Sequence, residues 1–417
     1  MKIRLATLVT VLLLLTPLSA IAGNNGPSAQ ILSTELIASN GKSGDQMGTA
    51  MAISQDTIVM GNDCSENSPD PYCDLSRPGG TVYVFQRPAT GWSNAQQVAE
   101  LTPSDGTEYD TFGHAVAVDG QTIIVLAPFG NAAYVYVRPE TGWANMTETA
   151  KLSLAGPIAG ASSVSVSGNT IVVGVGEMGN GGVPPGAAYV FVRPAQGWVS
   201  TSQPNAELTA SNPTSESYLG LAVSISGNTI VAGAPDIYAN APGAAYVFVK
   251  PSSGWANSTE TAILSPSDGI VNEYFGFAVS VANGTVAVGA FQDASDQGSA
   301  YVFVQPAAGW TSMTETAKLT VSGPPSTVDF GWSVATSGNE VVAGAPYTNN
   351  LQGTAYVFAK PATGWASASA PTKELRNPAG RFFGFSVATN GNAFVIGSPF
   401  TEVNSDPLEG AAFVFFN

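Results

Sequence analysis

Short apolar segments, separated by turns, return along the chain at a regular interval. Residues Ala222 to Ser226 alternate between apolar and polar types, which is the pattern of a β-strand. The next two segments, Thr229 to Ala234 and Ala244 to Val249, are almost continuously apolar, which predicts strands buried on both faces. A fourth, shorter segment follows, with the signature Ala206-Glu207-Leu208 in one copy. The pattern predicts four strands per unit and no helix.

The third strand of each unit carries an aromatic residue, then Val, then a second aromatic residue. A Gly-Trp pair follows six of its seven copies, and a Phe-Gly-type pair precedes all seven. Sheets that are apolar on both faces must be stacked between neighbours, and repeats of about 55 residues fit propeller blades. The sequence therefore predicts an all-β, seven-bladed β-propeller of four-stranded antiparallel blades. The third-strand copies begin at Tyr83, Tyr134, Tyr189, Tyr246, Tyr301, Tyr356 and Phe413.

The two ends of the chain carry complementary parts of one blade. Ala411 to Phe416 forms a third strand with no fourth strand after it, whereas Ser33 to Ile37 forms a fourth strand with no other strand before it. We expect these two strands to pair and to close the ring. Closure would remove the free sheet edges that otherwise promote aggregation.

The spacing of the glycine motifs is similar to that of a known repeat. Phe330-Gly331 followed by Gly344-Ala345-Pro346, and Leu219-Gly220 followed by Gly233-Ala234-Pro235, resemble the FG-GAP repeats of integrin α-subunit propellers. The short-turn copies resemble those of exported bacterial proteins more closely. This resemblance covers nearly the whole chain after its first residues. It implies a seven-bladed propeller and extracellular binding or adhesion, and it does not imply a reaction.

Integrin-type repeats often hold calcium in an Asp-rich loop between the Phe-Gly and Gly-Ala-Pro motifs. Here short turns such as Ser337 to Glu340 take that place, so no cofactor is expected there. Asp293 and Asp296 follow the Gly-Ala pair in a different loop and are weak calcium candidates. Solvated loop acids are the alternative interpretation of these two residues.

The first 22 residues have the features of a secretory signal peptide. Lys2 and Arg4 precede an apolar run, and the small-residue site Ala20-Ile21-Ala22 follows it. A membrane anchor would require about 20 apolar residues, and this run is shorter. We therefore expect cleavage near Ala22, a propeller domain over residues 23–417, and a secreted, periplasmic or extracellular location without a transmembrane segment. In that compartment Cys64 and Cys73 are expected to form a disulfide bond, the alternative being an incomplete metal site.

Composition argues against several kinds of chemistry. The net charge of −16 makes nucleic acid an unexpected partner. His114 is the only histidine, so a catalytic triad or a multi-histidine metal site would have to be built around it alone. We assign no catalytic or metal-binding residue, and we interpret the slot of His114, directly after Phe-Gly, as a packing position. In the other units that slot holds Thr49, Ser162, Leu221, Phe277, Trp332 and Phe385.

Loop length and charge point to one face of the propeller. The loops between strands two and three, and those from strand four to the next blade, should emerge together. By our strand assignment they carry 19 of the 30 acidic residues and four basic residues, Lys42, Arg77, Arg376 and Arg381. Variable loops on a rigid scaffold often carry function, although acidic residues can also simply maintain solubility.

We expect an exported binding or adhesion module that presents these acidic loops to an extracellular or cell-envelope ligand, either a protein or a glycan. A carbohydrate-active hydrolase or lyase using loop carboxylates is the first alternative, and a structural envelope protein is the second. The candidate binding residues are Asp105, Asp110, Asp293 and Asp296.

Overall fold

Seven small antiparallel sheets form a closed ring, which confirms the predicted seven-bladed propeller. The computed structural model describes residues 33–62, 80–107, 110–154, 161–176, 186–212, 217–236, 241–293, 297–322 and 328–416. The expected signal peptide over residues 1–22, the pair Cys64 and Cys73, and Asp296 lie outside the described residues. Blades one to six are numbered in chain order, and the seventh combines the two ends of the chain.

The four strands of each blade are arranged in order from the centre of the ring outward. The first, innermost strands span Ala50–Ser54, Ala115–Asp119, Ala161–Ser167, Val223–Ser226, Ala278–Ala282, Ser333–Thr336 and Val387–Thr389. The second strands span Thr57–Asn62, Thr122–Ala127, Thr170–Val175, Thr229–Ala234, Thr285–Ala290, Glu340–Ala345 and Ala393–Ser398. The third strands span Thr81–Gln86, Ala132–Val137, Ala187–Val192, Ala244–Val249, Ser299–Val304, Thr354–Ala359 and Ala411–Phe416. The fourth strands span Ala99–Leu101, Ala150–Leu152, Ala206–Thr209, Ala262–Ser265, Ala317–Leu319, Lys373–Leu375 and Ser33–Ile37.

Strand Ser33–Ile37 closes the ring as predicted. It pairs antiparallel with Ala411–Phe416, with Ser33 opposite Phe415 and Leu36 opposite Ala412. Its other edge pairs in parallel with Ala95–Gln96, a two-residue strand that the sequence pattern did not predict. Ser258–Thr259 and Met313–Thr314 cover the fourth strands of blades three and four in the same way. These short arms follow each Gly-Trp pair and protect outer edges that would otherwise be open to pairing.

The hydrophobic core is divided among the interfaces between blades. One cluster combines Val59 of blade one with Phe112 and Trp143 of blade two, and six further clusters join the other neighbouring pairs. The second and third strands are buried on both faces, which explains why their sequences are almost wholly apolar. A single blade therefore has no core of its own and depends on its neighbours.

The glycine motifs mark the place where adjacent blades come closest. A Cβ atom added to Gly289 would overlap the carbonyl oxygen of Gly331 in the Phe-Gly turn of the next blade. Gly344 meets Gly384 in the same manner, and Gly397 meets Gly48 across the closure. Phe-Gly and Gly-Ala-Pro are thus the two halves of one contact, and only glycine leaves room for it.

The innermost strands line a central channel. Serine hydroxyl groups there accept hydrogen bonds from backbone N–H groups of the next blade, as Ser224 does from Val281 at 3.0 Å and Ser280 does from Thr336 at 3.1 Å. These bonds satisfy backbone N–H groups at the inner edge of each sheet, where no further strand supplies a partner. Described residues of these strands line cavities of about 420 Å³ and about 330 Å³ in the channel.

Helical structure is nearly absent from the described part of the chain. The turn Thr348–Leu351 contains Asn349 and Asn350 in the left-handed conformation and is not a regular helix. Within the described ranges no helix has the length and apolar character needed to span a membrane.

Candidate functional site

The two variable loop classes emerge on one side of the ring, which we call the loop face. Asp268 follows the fourth strand of blade four, and Asp293 follows the second strand of blade five. Both carboxylates lie 3.1 Å from the hydroxyl oxygen of Tyr301. The loop from one blade to the next therefore meets the loop between strands two and three, as the sequence predicted.

A partly buried ion-pair cluster holds these loops together at blade five. The ammonium group of Lys318 lies 2.7 Å from Asp268 Oδ2 and 2.5 Å from Asp293 Oδ2, and 5.0 Å from the ring centre of Tyr301. Ser299 Oγ also donates to Asp293, at 2.5 Å. Burial by itself would lower the pKa of Lys318, but the hydrogen bonds to the two carboxylates outweigh it and the pKa is raised.

Glu273 completes the cluster without a hydrogen bond of its own. The residue is 0% exposed, and within the described residues neither carboxylate oxygen has a hydrogen-bond partner. The pKa of Glu273 is raised to about 7, mainly by burial and also by the nearby charges of Asp293 and Asp268, whereas the nearby Ile270 amide, which lies outside hydrogen-bond geometry, and Lys318 lower it. A carboxyl group with this pKa suits general acid catalysis, but its enclosure separates it from any substrate.

Blade two contains a simpler version of the same arrangement. The ammonium of Lys151 lies 2.6 Å from Asp105 Oδ2 and 5.2 Å from the ring centre of Tyr134, whose hydroxyl donates to Asp105 at 2.9 Å. The hydrogen bond from Lys151 lowers the pKa of Asp105, and burial and the nearby Asp105 raise the pKa of Tyr134. In two loops with the same sequence spacing, 105–113 and 268–276, the aspartate is therefore held by a lysine and a tyrosine at equivalent positions of the blade.

Asp110 occupies the position that Glu273 has in blade five, two residues before the Phe-Gly pair. Its carboxylate accepts hydrogen bonds from the backbone N–H of Thr107 at 2.8 Å and from the Thr107 hydroxyl at 2.6 Å. Asp110 thus closes its own loop. Glu273 is one methylene group longer, and its carboxylate forms no such bond with Ile270, the counterpart of Thr107.

The structure places the predicted binding residues in different environments. The Asp105 side chain is 51% exposed, whereas the Asp293 side chain is 6% exposed and Asp110 is also buried. Asp110 and Asp293 are therefore arranged to support loops. Lys151 and Lys318 lie on strands and so were not included in the charge of the loops. Their long side chains nevertheless reach the loop face. The loop face is consequently less acidic than the count of loop residues suggested.

Of the two calcium candidates, Asp293 lies within the described residues, and its carboxylate is already bonded to other side chains. Asp293 directs its carboxylate to Lys318, Ser299 and Tyr301. Across the described ranges, no group of three or more His, Cys, Asp or Glu side chains is arranged to hold a metal ion.

An aromatic band crosses the loop face at the mouth of the central channel, over blades five to seven. We call it the aromatic arc. Ring-centre distances between neighbours are 4.6 Å for Phe277 and Phe291, 5.2 Å for Phe277 and Trp332, and 5.6 Å for Trp332 and Tyr347. Most of its rings are partly exposed to solvent. The arc consists of Phe277, Phe291, Trp332, Tyr347, Phe382 and Phe385, with Tyr274 and Phe400 at its ends.

The Phe-Gly turn explains why these side chains reach the mouth. In the six copies where the residue before the pair is among the described residues, that residue has a positive φ, for example 57° at Tyr274, 48° at Asp329 and 57° at Phe382. The residue after the pair lies at or just before the start of the innermost strand and lines the 330 Å³ cavity, where Trp332 lies with His114. The sequence interpretation of this slot as a packing position missed its exposure to the channel. The missed signal was the aromatic identity of the last three copies, those of blades five, six and seven.

Comparisons with known proteins agree with this geometry. Residues 95–137, 203–248, 258–303 and 313–358 match the family model of the FG-GAP repeat. Each match starts near a post-Gly-Trp arm and ends in the third strand of a blade. No curated protein matches the sequence.

Solved structures resemble the chain in fold. A chain of Kuenenia stuttgartiensis hydrazine synthase aligns with a TM-score of 0.55 at 13% identity, covering 91% of this chain and 97% of that one. The WD40 β-propeller domain of Doa1 aligns with a TM-score of 0.52 at 11% identity, covering 92% of this chain and 96% of that one. At this identity the likeness concerns the fold alone. The chain is a seven-bladed β-propeller with one variable face. It is, more specifically, an FG-GAP repeat propeller.

Proposed function

We propose that the protein is an exported binding module that presents its loop face to an extracellular or cell-envelope protein or glycan. The main support for this proposal is the difference in loop length between the two faces of the propeller. Loops between strands two and three range from four residues in blade two to eighteen in blade one, whereas the turns between strands one and two have two or three residues. A scaffold that varies only on one side is typical of proteins that bind through that side.

Two further observations support the proposal. Ion pairs anchor the loops in blades two and five, and anchored loops lose less conformational entropy on binding than free loops do. FG-GAP repeats, present in four segments, also suit an extracellular protein. We propose binding in preference to catalysis because Glu273, whose pKa is raised to about 7, is fully enclosed among the described residues.

A glycan and extracellular-matrix protein array, probed with the mature protein with and without calcium, tests this function. Two variants carry a polyethylene glycol chain on an introduced cysteine: Ile270→Cys blocks the loop face, and Val98→Cys blocks the region between the third and fourth strands of blade one. The two native residues have similar exposure, 53% and 46%. The wild-type protein, treated with the same reagent, controls for reaction at Cys64 and Cys73.

We expect ligands found on the array to be lost with the blocked Ile270→Cys variant and kept with the blocked Val98→Cys variant. Loss with the Val98→Cys variant alone would place binding elsewhere and refute the proposal. An array without any ligand would favour the structural alternative. Export is checked separately, because the N-terminus of the secreted protein should begin at Gly23.

A further inference from the structure

A pocket lies where blade seven meets blade one, on the face opposite the loop face. We call it the seam pocket. Described residues of both blades line a cavity of about 670 Å³ there, with Asp56, Arg87 and Trp92 from blade one and Asn392 and Phe416 from blade seven. This volume is within the range of sites that bind small molecules. None of these residues belongs to the loop face.

Phe416 gives blade seven an aromatic side chain at a position where the other blades have none. It is the last residue of its third strand and is 37% exposed. Trp92 is also partly exposed, whereas four of the five other Gly-Trp tryptophans are buried. The seam pocket therefore has two aromatic side chains that a ligand can reach. The residues equivalent to Phe416 in blades one to six are Gln86, Val137, Val192, Val249, Val304 and Ala359.

The polar groups of the seam pocket are held in place by both blades. Arg87 Nη1 lies 3.5 Å from Asp56 Oδ1, and the backbone N–H of Arg87 donates to the Asp56 carbonyl at 2.8 Å. In blade seven, Asn390 Oδ1 accepts a hydrogen bond from the backbone N–H of Asn392 at 3.0 Å. Asn390 Nδ2 donates to the Gln55 carbonyl at 2.9 Å, which anchors the turn of Asn392 to blade one. The charges of Asp56 and Arg87 cancel, so this lining is complementary to a neutral ligand.

This combination of groups matches the chemistry of a sugar. A pyranose ring presents C–H groups on its faces, which pack against the electron-rich faces of aromatic rings. Its hydroxyl groups both donate and accept hydrogen bonds. Among the polar residues of the seam pocket, Arg87 supplies N–H donors, Asp56 supplies acceptor oxygens, and the amide of Asn392 supplies both.

We propose that the seam pocket binds one or two rings of a neutral carbohydrate. The two aromatic side chains pack against the sugar faces, and Arg87, Asp56 and Asn392 bind its hydroxyl groups. This site is separate from the loop face and does not rest on the proposed function. An open pocket that contacts so few rings is expected to bind with a Kd on the order of 1 mM. A washed array does not retain so weak a ligand, so the seam pocket requires a measurement in solution.

Saturation-transfer NMR and calorimetric titration with free disaccharides test this inference. The probes are maltose, cellobiose, lactose and N,N′-diacetylchitobiose, each added to the mature protein. Phe416→Val removes the aromatic ring and introduces the residue that blades two to five have at that position. Arg87→Ala removes the guanidinium group. Arg193→Ala is its matched control, because both arginines are exposed and both donate their backbone N–H to a turn between first and second strands at 2.8 Å.

We expect at least one of the four disaccharides to bind. Phe416→Val and Arg87→Ala should each raise its Kd at least about threefold, whereas Arg193→Ala should leave it unchanged. The blocked Ile270→Cys variant should bind the disaccharide as the wild type does, because its polymer covers the opposite face. Melting temperatures identify any loss caused by unfolding. Should Phe416→Val prove unstable, Arg87→Ala decides the result, since the Arg87 side chain is 47% exposed.

Three results would overturn the inference. All four disaccharides could fail to bind, or one could bind equally to the wild type, Phe416→Val and Arg87→Ala. Binding that is lost only in the blocked Ile270→Cys variant would assign the sugar to the loop face. The array tests the loop face and the titration tests the seam pocket, so failure of this inference and failure of the proposed function can be told apart.

Discussion

Replacing Glu273 with glutamine should stabilise the protein at alkaline pH. The Glu273 side chain is enclosed with Asp268, Asp293, Lys318 and Tyr301 around it, and its two oxygens have no hydrogen-bond partner within the described residues. Glutamine keeps the shape of the side chain and removes the buried charge. The cost of holding that charge away from water, and close to two other carboxylates, is then absent.

The size of the effect follows from the change in pKa. The pKa of Glu273 rises from 4.5 to about 7 on folding, so between these values the folded protein binds the proton more tightly than the unfolded chain does. Stability from this group is therefore complete below pH 4.5 and is lost as pH rises through 7. A shift of this size corresponds to about 3 kcal/mol at pH 8, and to about 1 kcal/mol or less at pH 5.

Urea unfolding of the wild type and Glu273→Gln at pH 5 and pH 8 measures this difference. The gain in free energy of unfolding from the substitution should be larger at pH 8 by about 2 kcal/mol. Comparing two proteins at each pH cancels the contributions of the other carboxylates. Glu273→Asp is a second test, because the shorter side chain reproduces the Asp110 arrangement and should accept a hydrogen bond from the Ile270 amide. An equal gain at both pH values would show that folding does not raise the pKa of Glu273, and would refute the reasoning.

Two further predictions concern the anchoring of loops and blades. Lys318→Met should lower the free energy of unfolding by about 3 kcal/mol or more, because Asp293 is left buried without its cation, whereas Lys151→Met removes a more exposed pair and should cost less than about 1 kcal/mol; equal losses in urea unfolding would contradict this. Gly397→Ala should cost several kcal/mol, because its Cβ overlaps the Phe-Gly-type turn of blade one. Gly120→Ala, where the added Cβ meets no atom within 4 Å, should cost about 1 kcal/mol from its positive φ alone, and a comparable melting temperature for both variants would argue against the close contact between blades.

The fold was predictable because the apolar pattern, the repeated motifs and the incomplete blades at the two ends all indicate the same architecture. Third strands such as Ala244–Val249 have the bounds that the apolar run gave. The incomplete blade at each end of the chain identified the closing pair of strands, Ser33–Ile37 and Ala411–Phe416. The short parallel arms were not predictable, because two-residue strands such as Ala95–Gln96 have no apolar pattern of their own.

The candidate site was predictable as a face but not as a set of residues. Loop class alone located Asp105 and Asp293 on the same face, since connectivity decides where loops emerge. It could not separate exposed Asp105 from buried Asp293, because burial depends on the reach of Lys318 from a neighbouring strand. The aromatic arc escaped notice because its members come from three different slots in each blade and meet only when the ring is closed.

The closing strand pair also determines how the propeller responds to a pulling force. Because Ser33 lies opposite Phe415 in an antiparallel pair, both chain ends leave the ring from the same end of one strand pair. A load applied between the two ends would peel the hydrogen bonds apart one after another, and would never shear them all at once. The ring is therefore weakest in tension at the point where it is joined, whatever its thermal stability. Moving the chain ends to a loop between the fourth strand of one blade and the first strand of the next would leave every blade covalently continuous, and no terminal strand pair would then bear the load.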